Sequence, residues 1–449
     1  MNKNIRKVSR TLVLALAFFA LATSLAFGGE PVLGDAEERI IRYEADDLAD
    51  PVSLLQKRLD DGSIKLKFEA GRGYLSSLLE ALQVPISSQT LVFSKTSTQR
   101  EHISPQTPRA VFFSDSVSVA WVPDGKRIDL TSVDPNRGPI FFTLEQAADR
   151  PPKFRRDASC LQCHLGPKTL NVPGLLVRSV HTASNGTALA TVDGFVNGHN
   201  SPFRERWGGW YVTGTHAGDF HFGNIFAADP THPEQVDPRA GANVTDLRER
   251  FDTSRYVSPH SDLVALLVLE HQVRMQNLIT RAHYETRLAL EEQRTQATSA
   301  AVTQQRIARA GEMLLEYMLF RNEPALKGPV KGTSVFAEQF ERGGPFDAKG
   351  RSLRQLDLHT RLMRYPCSFL IYSTAFDALP PEMKTYLWRR LEEILSGQDT
   401  SVAYASMDGQ DRAAALEILR ETKPEFAAWM RQERTRGPLS RQEVGSLSH

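Results

Sequence analysis

The chain is poor in cysteine and carries almost no net charge. Three cysteines in 449 residues are too few to staple a protein of this size, which excludes a disulfide framework. A formal net charge of +1 gives no electrostatic reason to expect nucleic acid or an anionic membrane as a partner. The remaining composition, 41% hydrophobic and 24% charged residues, is typical of a folded globular protein long enough for two or three domains.

Long apolar runs are absent beyond the N-terminus. There, four basic residues precede the run from Leu12 to Ala22, and Ser24-Leu25-Ala26 places small residues where a signal peptidase reads them. This pattern predicts a secretory signal peptide over residues 1–26. The alternative is an uncleaved membrane anchor, for which the apolar run is short. Cleavage leaves 50 Lys and Arg against 53 Asp and Glu, a net charge of about −3.

Periodicity predicts an α+β protein whose N-terminal half is rich in strands and whose C-terminal half is mainly helical. After a helix over Tyr74–Leu82, five segments with a period of two predict strands, and Asp124-Gly125 marks a hairpin between two of them. Two more strands are predicted over Ala188–Val196 and Trp210–Thr215. The five period-two segments are Leu91–Phe93, Ala110–Phe113, Val117–Val122, Arg127–Leu130 and Ile140–Leu144.

The second half begins with a long apolar helix. Ser261 is a suitable N-cap for a segment without Gly or Pro through residue 310, which predicts one helix, or two with a break near Thr295–Thr303. Pro380-Pro381 and Asp411 start two further predicted helices. The predicted regions are the signal peptide 1–26, a β-rich region 27–150, a central region 151–260 around the cysteine pair, a helical region 261–432 and a flexible tail 433–449.

The segment Cys160-Leu161-Gln162-Cys163-His164 has the spacing Cys-x-x-Cys-His, the attachment signature of c-type haem. On a helical turn the three chemical positions share one face, so two thiols can form thioethers to the haem vinyl groups while the histidine nitrogen reaches the iron. Chance occurrence from this composition is roughly one in two thousand. The export signal agrees, because haem c is attached outside the cytoplasmic membrane. The sequence therefore predicts one covalent haem c, with His164 as the proximal iron ligand.

Two other kinds of site use paired cysteines. A structural zinc site needs four ligands, usually with a second Cys-x-x-Cys pair, and the sequence has no second pair. A thioredoxin-like redox pair needs a flanking strand and helix pattern that is missing here. The third cysteine, Cys367, lies in an apolar segment and is predicted to be a buried core residue, with a reactive thiol as the alternative.

With Gly166-Pro167 behind it, the motif resembles the small c-type cytochromes, in which a Gly-Pro after the haem histidine shapes the loop whose carbonyl orients that ligand. Those proteins supply a methionine as sixth ligand, whereas no methionine occurs here between Met1 and Met275. Together with three further segments, the motif also resembles a group of large exported single-haem proteins with a cytochrome c domain. That resemblance extends over most of the mature chain and implies haem binding and redox chemistry. The further segments are Arg206–His216, His221–Asn224 and Leu269–Gln272.

Further haem contacts have to come from other segments. Four basic residues near the motif are candidates to neutralise the haem propionates, with a solvated surface cluster as the alternative: Lys153, Arg155, Arg156 and Arg178. Three histidines are candidate distal iron ligands, and a hydrogen-bonded structural role is the alternative for each: His216, His221 and His271. Met275 is a further candidate. His181 and His199 are predicted to be loop residues.

These features favour a periplasmic electron-transfer cytochrome of a Gram-negative bacterium, whose partner is a periplasmic redox protein or a small electron donor or acceptor. Neither nucleic acid binding nor a stable membrane span after signal cleavage is expected. One alternative is a haem-dependent redox enzyme of the peroxidase or oxidase type with an open distal site. Another is a haem-bearing sensor or binding protein, because about 420 residues after signal cleavage exceed what an electron shuttle needs.

Overall fold

The computed structural model describes residues 33–189, 194–218, 220–232 and 236–436, so the predicted signal peptide lies outside the described residues. A mostly antiparallel sheet occupies the N-terminal half and helices occupy the C-terminal half, which confirms the predicted α+β class. The helices are α1 Asp35–Ile41, α2 Pro51–Asp60, α3 Leu75–Ala81, α4 Leu161–His164, α5 Leu263–Arg294, α6 Ala300–Met318, α7 Phe336–Glu341, α8 Thr374–Asp377, α9 Pro381–Leu395, α10 Gly409–Thr422 and α11 Pro424–Arg436. The strands are β1 Thr90–Val92, β2 Arg109–Phe113, β3 Val117–Trp121, β4 Arg127–Asp134, β5 Gly138–Glu145, β6 Phe154–Arg156, β7 Arg178–Ser179, β8 Phe195–Val196, β9 Trp210–Tyr211, β10 Gly214–His216 and β11 Val330–Gly332.

Seven strands form one sheet in the order β6-β5-β4-β3-β2-β1-β9, and every neighbouring pair in it is antiparallel. All five strands predicted from the period-two segments belong to this sheet. Asp124 takes the left-handed conformation (φ 61°) in the turn between β3 and β4, where the Asp-Gly pair predicts a hairpin. The edge strand β9 comes from the central region of the chain and pairs with β1.

The strand register separates the sheet into two faces. Phe141, Thr131, Ser118 and Phe113 are successive cross-strand partners and therefore point to one face. Arg109 lies four residues before Phe113 on β2, so its side chain points to the same face, which we call the site face. The opposite face is apolar and packs against the N-terminal helices; its residues include Phe112, Val119, Leu130, Ile140 and Phe142.

The long helix α5 begins one residue later than predicted. Asp262, not Ser261, is the N-cap, and its carboxylate accepts hydrogen bonds from the backbone N–H groups of Val264 (2.8 Å) and Ala265 (3.1 Å). The Ser261 hydroxyl instead donates to the carbonyl oxygen of Tyr211 in β9 (2.6 Å). The residue predicted as the helix cap therefore joins the helix start to the sheet edge.

The helical stretch is divided, as one of the two predictions had it. The helix α5 ends at Arg294 after 32 residues, about 48 Å, and α6 begins after its own N-cap, Ser299. Across one end of the sheet, Gln272 and Gln276 of α5 donate to two carbonyl oxygens of the β2–β3 turn (2.7 and 2.6 Å). Among the described helices, none is long and apolar enough to cross a membrane.

Three predicted segments differ in extent. Of the strand predicted over Ala188–Val196, β8 covers Phe195–Val196, and residues 190–193 lie outside the described part. The strand predicted over Trp210–Thr215 is divided into β9 and β10, because the N–H of Thr213 leaves the sheet and donates to the carbonyl oxygen of Ser261 (2.7 Å). The last helix, α11, continues to Arg436, inside the predicted tail 433–449, of which residues 437–449 lie outside the described part.

His283 on α5 gives the fold a pH-dependent contribution to stability. Its Nε2 donates to the carbonyl oxygen of Ala378 (3.1 Å), and burial lowers its pKa to about 4. The unfolded chain takes up this proton near pH 6.5, so the contribution is complete above that pH and is lost as the pH falls toward 4.

In His283→Gln we expect the slope of the unfolding free energy against pH, between pH 6 and 4.5, to become smaller by up to about 1.4 kcal/mol per pH unit. Urea denaturation at a series of pH values measures this slope. A slope equal to that of the unsubstituted protein would contradict the assignment of a neutral buried imidazole.

Candidate functional site

The Cys-x-x-Cys-His segment forms a single tight turn on the site face. Asp157 caps it, because its carboxylate accepts the backbone N–H of Ser159 (3.1 Å), and a 3-10 turn over Ala158–Cys160 runs directly into α4. One helical turn therefore carries both thiols and the histidine, as the spacing predicts. The turn is tied to the sheet by the N–H of Asp157, which donates to the carbonyl oxygen of Phe141 (3.1 Å).

The three cysteines differ in their surroundings. All are free thiols: Cys160 is half-buried, Cys163 is exposed and Cys367 is buried in the core. Burial raises the pKa of Cys160 to about 12, with the carboxylates of Asp157 and Asp129 adding to the effect, so this sulfur is held as a neutral thiol and not as a thiolate. Burial alone raises the pKa of Cys367 to about 12, which fits the predicted core residue and not a reactive thiol.

His164 is fixed by a backbone carbonyl. Its Nδ1 lies 2.7 Å from the carbonyl oxygen of Gly174, and the N–H of Gly174 donates back to the carbonyl oxygen of His164 (2.9 Å). A carbonyl can only accept, so Nδ1 carries the proton and Nε2 is the nitrogen with a free lone pair. Burial lowers the pKa of this histidine, and the positive charge of Arg109 lowers it further. The imidazole is therefore neutral and has the tautomer that a metal-binding histidine needs.

One ring packs on this histidine. The Phe141 side chain, on the site face of β5, has its ring centroid 4.9 Å from that of His164, with the two planes inclined by 46°. No other aromatic or imidazole ring within the described ranges contacts His164. Phe141 and the Gly174 carbonyl together restrict the orientation of the imidazole.

The carbonyl that orients His164 belongs to the loop that follows Gly166-Pro167. Gly166-Pro167 starts a 3-10 turn in which Thr169 closes back on Gly166, and the orienting carbonyl belongs to Gly174, which follows Pro173 eight residues later. A β-bridge between Leu165 and Pro173 closes the loop and brings Gly174 under the histidine ring.

Asn277 of α5 anchors this loop, and sequence reasoning missed it. Its Oδ1 accepts the N–H of Leu175 (2.9 Å) and its Nδ2 donates to the carbonyl oxygen of Leu175 (2.8 Å). Asn277 is fully buried, and a Cβ on Gly174 would come within 2.6 Å of its Oδ1, so only glycine fits beside this contact. The signal in the sequence is a lone asparagine inside an apolar helical run, a position where a buried amide needs a partner.

Arg109 is a second residue that sequence reasoning missed. Its side chain lies on the site face, and its Nε is fully buried without a hydrogen-bond partner. No hydrogen bond or ion pair of its guanidinium occurs with the described residues. Burial lowers its pKa, which identifies a positive charge that is poorly compensated.

The basic residues predicted to neutralise propionates lie in different environments. Arg156 points away from the site face and donates three hydrogen bonds to the backbone carbonyls of Tyr43, Glu44 and Ala45 (2.7–3.2 Å). Arg155 is the preceding residue on the strand, so its side chain points to the opposite side, which is the site face, beside Thr143, and is exposed. Lys153 pairs with Asp60 at the surface (3.5 Å), and Arg178 lies in β7 beside Trp210, whose indole donates to the Arg178 carbonyl oxygen (2.7 Å).

Two of the candidate distal ligands lie against each other. The rings of His216 and His221 are 5.2 Å apart and pack against Phe203, while Trp207 contacts His221 edge-on. His221 Nδ1 accepts the N–H of Gly223 (3.1 Å), and burial lowers its pKa to about 3. These two histidines therefore share one aromatic environment, and their role as iron ligands stays a prediction.

The third candidate, His271, uses both ring nitrogens in hydrogen bonds. Its Nδ1 lies 2.8 Å from Nδ1 of His199 and its Nε2 lies 2.7 Å from the hydroxyl of Ser368. His199 is in a loop, as predicted, but it is buried and stacks on Tyr317 with ring centroids 3.9 Å apart. Iron binding by His271 would require one of these bonds to break. Met275, one turn on, is fully buried in the helical core.

A buried ion pair lies beside the His199–His271 pair. Arg206 Nη1 donates to Glu270 Oε2 (2.9 Å), its Nη2 donates to the carbonyl oxygen of His199 (2.9 Å), and both charged side chains are at most 5% exposed. Burial raises the pKa of Glu270 to about 7, opposed by Arg206. Next to the pair, Trp207 takes the left-handed conformation (φ 65°), a strained state for a bulky residue that costs about 1–3 kcal/mol.

The chemistry available at the Cys-x-x-Cys-His turn is narrow. No group of three or more His, Cys, Asp or Glu residues within the described ranges is arranged to hold a metal ion by itself. Two thiols and one oriented imidazole on a single turn suit a cofactor that is bound covalently and brings its own metal. Comparison of the chain with protein-family models, curated proteins and solved structures finds no match.

Proposed function

We propose that the protein is a c-type cytochrome that carries one haem on Cys160 and Cys163, with His164 as proximal iron ligand, and that it transfers electrons in the periplasm. The observation that carries the proposal is the 2.7 Å hydrogen bond from His164 Nδ1 to the Gly174 carbonyl oxygen, inside the Cys-x-x-Cys-His turn. This bond leaves Nε2 as the nitrogen available to a metal and holds the ring in one orientation, which is what second-sphere hydrogen bonds do for metal-binding histidines.

Several residues of the chain have defined roles in this proposal. The thiols of Cys160 and Cys163 are the attachment points, Asp157 holds the turn that presents them, and Phe141 restricts rotation of the ligand ring. When bound, the haem supplies reversible one-electron chemistry at its iron. Cys163 is exposed, so its attachment point lies at the protein surface, where a redox partner can approach.

The predicted signal peptide supports the proposed location. Haem c is attached outside the cytoplasmic membrane, and export through that membrane is what residues 1–26 predict. The proposed partner is accordingly a periplasmic redox protein or a small electron donor or acceptor.

A haem-dependent redox enzyme is the second candidate function. It is favoured by the hydrogen bonds that already occupy both ring nitrogens of His271, one of the candidate distal ligands. An open sixth position would leave the iron free to bind a small oxidant, as in peroxidases and oxidases.

Two measurements test these proposals. A haem stain of the exported protein on a denaturing gel tests covalent attachment, and we expect a positive band. The ferric absorption spectrum separates the two functions: a six-coordinate low-spin iron supports electron transfer, whereas a high-spin iron that binds cyanide supports the enzyme. An absent haem band would contradict both.

A further inference from the structure

Arg109 lies on the same side of the sheet as the turn that carries Cys160, Cys163 and His164. Its strand β2 pairs with β3, β3 pairs with β4, and β4 pairs with β5, whose Phe141 packs on His164. Cross-strand partners place Phe113 and Phe141 on one face, and Arg109 is four residues from Phe113 on the same strand. The guanidinium therefore extends over the face on which Cys160 and His164 sit.

The electrostatic surroundings agree with this placement. The positive charge of Arg109 lowers the pKa of His164, so the two side chains are close enough to interact electrostatically. Arg109 belongs to the candidate site although it lies 51 residues before the motif.

The charge of Arg109 lacks a partner among the described residues. Its Nε is fully buried and unpartnered, and its guanidinium makes no hydrogen bond or ion pair with them. The carboxylate that acts on it, that of Asp129, already accepts hydrogen bonds from Arg127 Nε (3.0 Å) and Gln99 Nε2 (3.0 Å). A half-buried cation without an anion is unfavourable, because it loses hydration without a compensating charge.

We propose that Arg109 binds a carboxylate of the cofactor, a haem propionate, and that the haem completes the ion pair that the protein alone leaves open. The proposal rests on covalent haem at Cys160 and Cys163. A planar guanidinium binds a carboxylate through two parallel hydrogen bonds, which is the geometry best suited to a propionate. Arg156 already donates hydrogen bonds to backbone carbonyls, and Arg155 is exposed. Neither therefore combines burial with a lack of hydrogen-bond partners, as Arg109 does.

The test compares Arg109→Met in two backgrounds, the haem-loaded protein and the haem-free Cys160→Ala/Cys163→Ala variant. Methionine keeps the length and apolar character of the side chain and removes the charge. Without haem, removal of an unpaired buried charge should raise the folding equilibrium constant about tenfold or more. With haem, loss of the ion pair should lower it about tenfold or more. Urea denaturation measures both.

A second readout is specific to the iron. Removal of a positive charge near the haem stabilises the ferric state, so we expect the midpoint potential of Arg109→Met to fall by about 30 mV, a threefold change in the ferric-to-ferrous ratio. Arg109→Lys keeps the charge without the planar fork, should fold like the unsubstituted protein and should shift the potential less. It serves as the informative variant if Arg109→Met does not fold.

Two matched controls separate this role from ordinary structure. Arg156→Met should lower stability by the same factor in both backgrounds, because its carbonyl partners belong to the protein, and Arg155→Met should change neither. Equal effects of Arg109→Met with and without haem, or an unchanged potential, would overturn the propionate assignment while leaving the haem proposal intact. A chain that carries no covalent haem would overturn both, and the haem stain distinguishes the two failures.

Discussion

Replacing Glu270 with alanine is expected to lower the free energy of unfolding by about 3–5 kcal/mol. Glu270 is fully buried, and its Oε2 accepts a hydrogen bond from Arg206 Nη1 (2.9 Å). The Arg206 side chain cannot turn out into solvent when Glu270 is removed, because its other nitrogens donate to the carbonyl oxygens of Ser201 and His199. The substitution therefore leaves a buried cation without its anion.

A double-mutant cycle isolates the pair. Arg206→Met/Glu270→Met removes both charges, and apolar side chains of similar volume in their place are expected to cost much less than the two single substitutions together. Denaturation of the four proteins gives the coupling energy. A loss of less than about 1 kcal/mol in Glu270→Ala, or strictly additive effects, would contradict a desolvated ion pair.

Replacing Asn277 with alanine is expected to lower the free energy of unfolding by about 2–4 kcal/mol and to loosen His164, the proposed iron ligand. The asparagine satisfies both the N–H and the carbonyl of Leu175, so its removal leaves two part-buried backbone groups without this partner. Gly174 precedes Leu175 and supplies the carbonyl that accepts from His164. A weaker hydrogen bond at Nδ1 makes the imidazole a poorer donor to iron, so the midpoint potential should rise.

Two further variants support this interpretation. Gln276, the neighbouring residue on α5, donates a similar side-chain hydrogen bond to the carbonyl oxygen of Asp115 in the β2–β3 turn. Gln276→Ala should therefore lower stability without changing the midpoint potential. Gly174→Ala places a Cβ within 2.6 Å of Asn277 Oδ1 and should cost less in the Asn277→Ala background, because only the 3.0 Å approach to Thr169 Cβ then remains. Equal midpoint potentials in Asn277→Ala and Gln276→Ala would contradict the link between Asn277 and the proposed iron ligand His164.

The strands of the sheet and the Cys-x-x-Cys-His turn could be predicted from the sequence because both depend on local patterns. Period-two segments such as Val117–Val122 contain the information for strands, and the Asp124-Gly125 pair contains the information for the hairpin between them. The Cys160 to His164 spacing fixes a shared face on one helical turn whatever surrounds it.

The rest of the site depends on contacts between distant segments. In the sequence, Arg109 is a polar residue at the start of a strand and carries no signal of a site. Only the register of four strands places it near His164. Asn277 lies 102 residues from the backbone that it binds. Ser261 looks like a helix cap by composition, but Asp262 is the cap because the Ser261 hydroxyl is used by Tyr211. Such partners are decided by tertiary packing, which local propensity does not contain.

The mass of the exported protein tests the central claim most directly. Intact mass spectrometry under denaturing conditions should show the mature polypeptide plus one haem for the unsubstituted protein and for the control Cys367→Ala, which removes the buried core cysteine. Cys160→Ala and Cys163→Ala should each lose the covalent haem signal. A bare polypeptide mass in the unsubstituted protein, or an unchanged haem mass after substitution of either motif cysteine, would contradict the assignment of a c-type cytochrome.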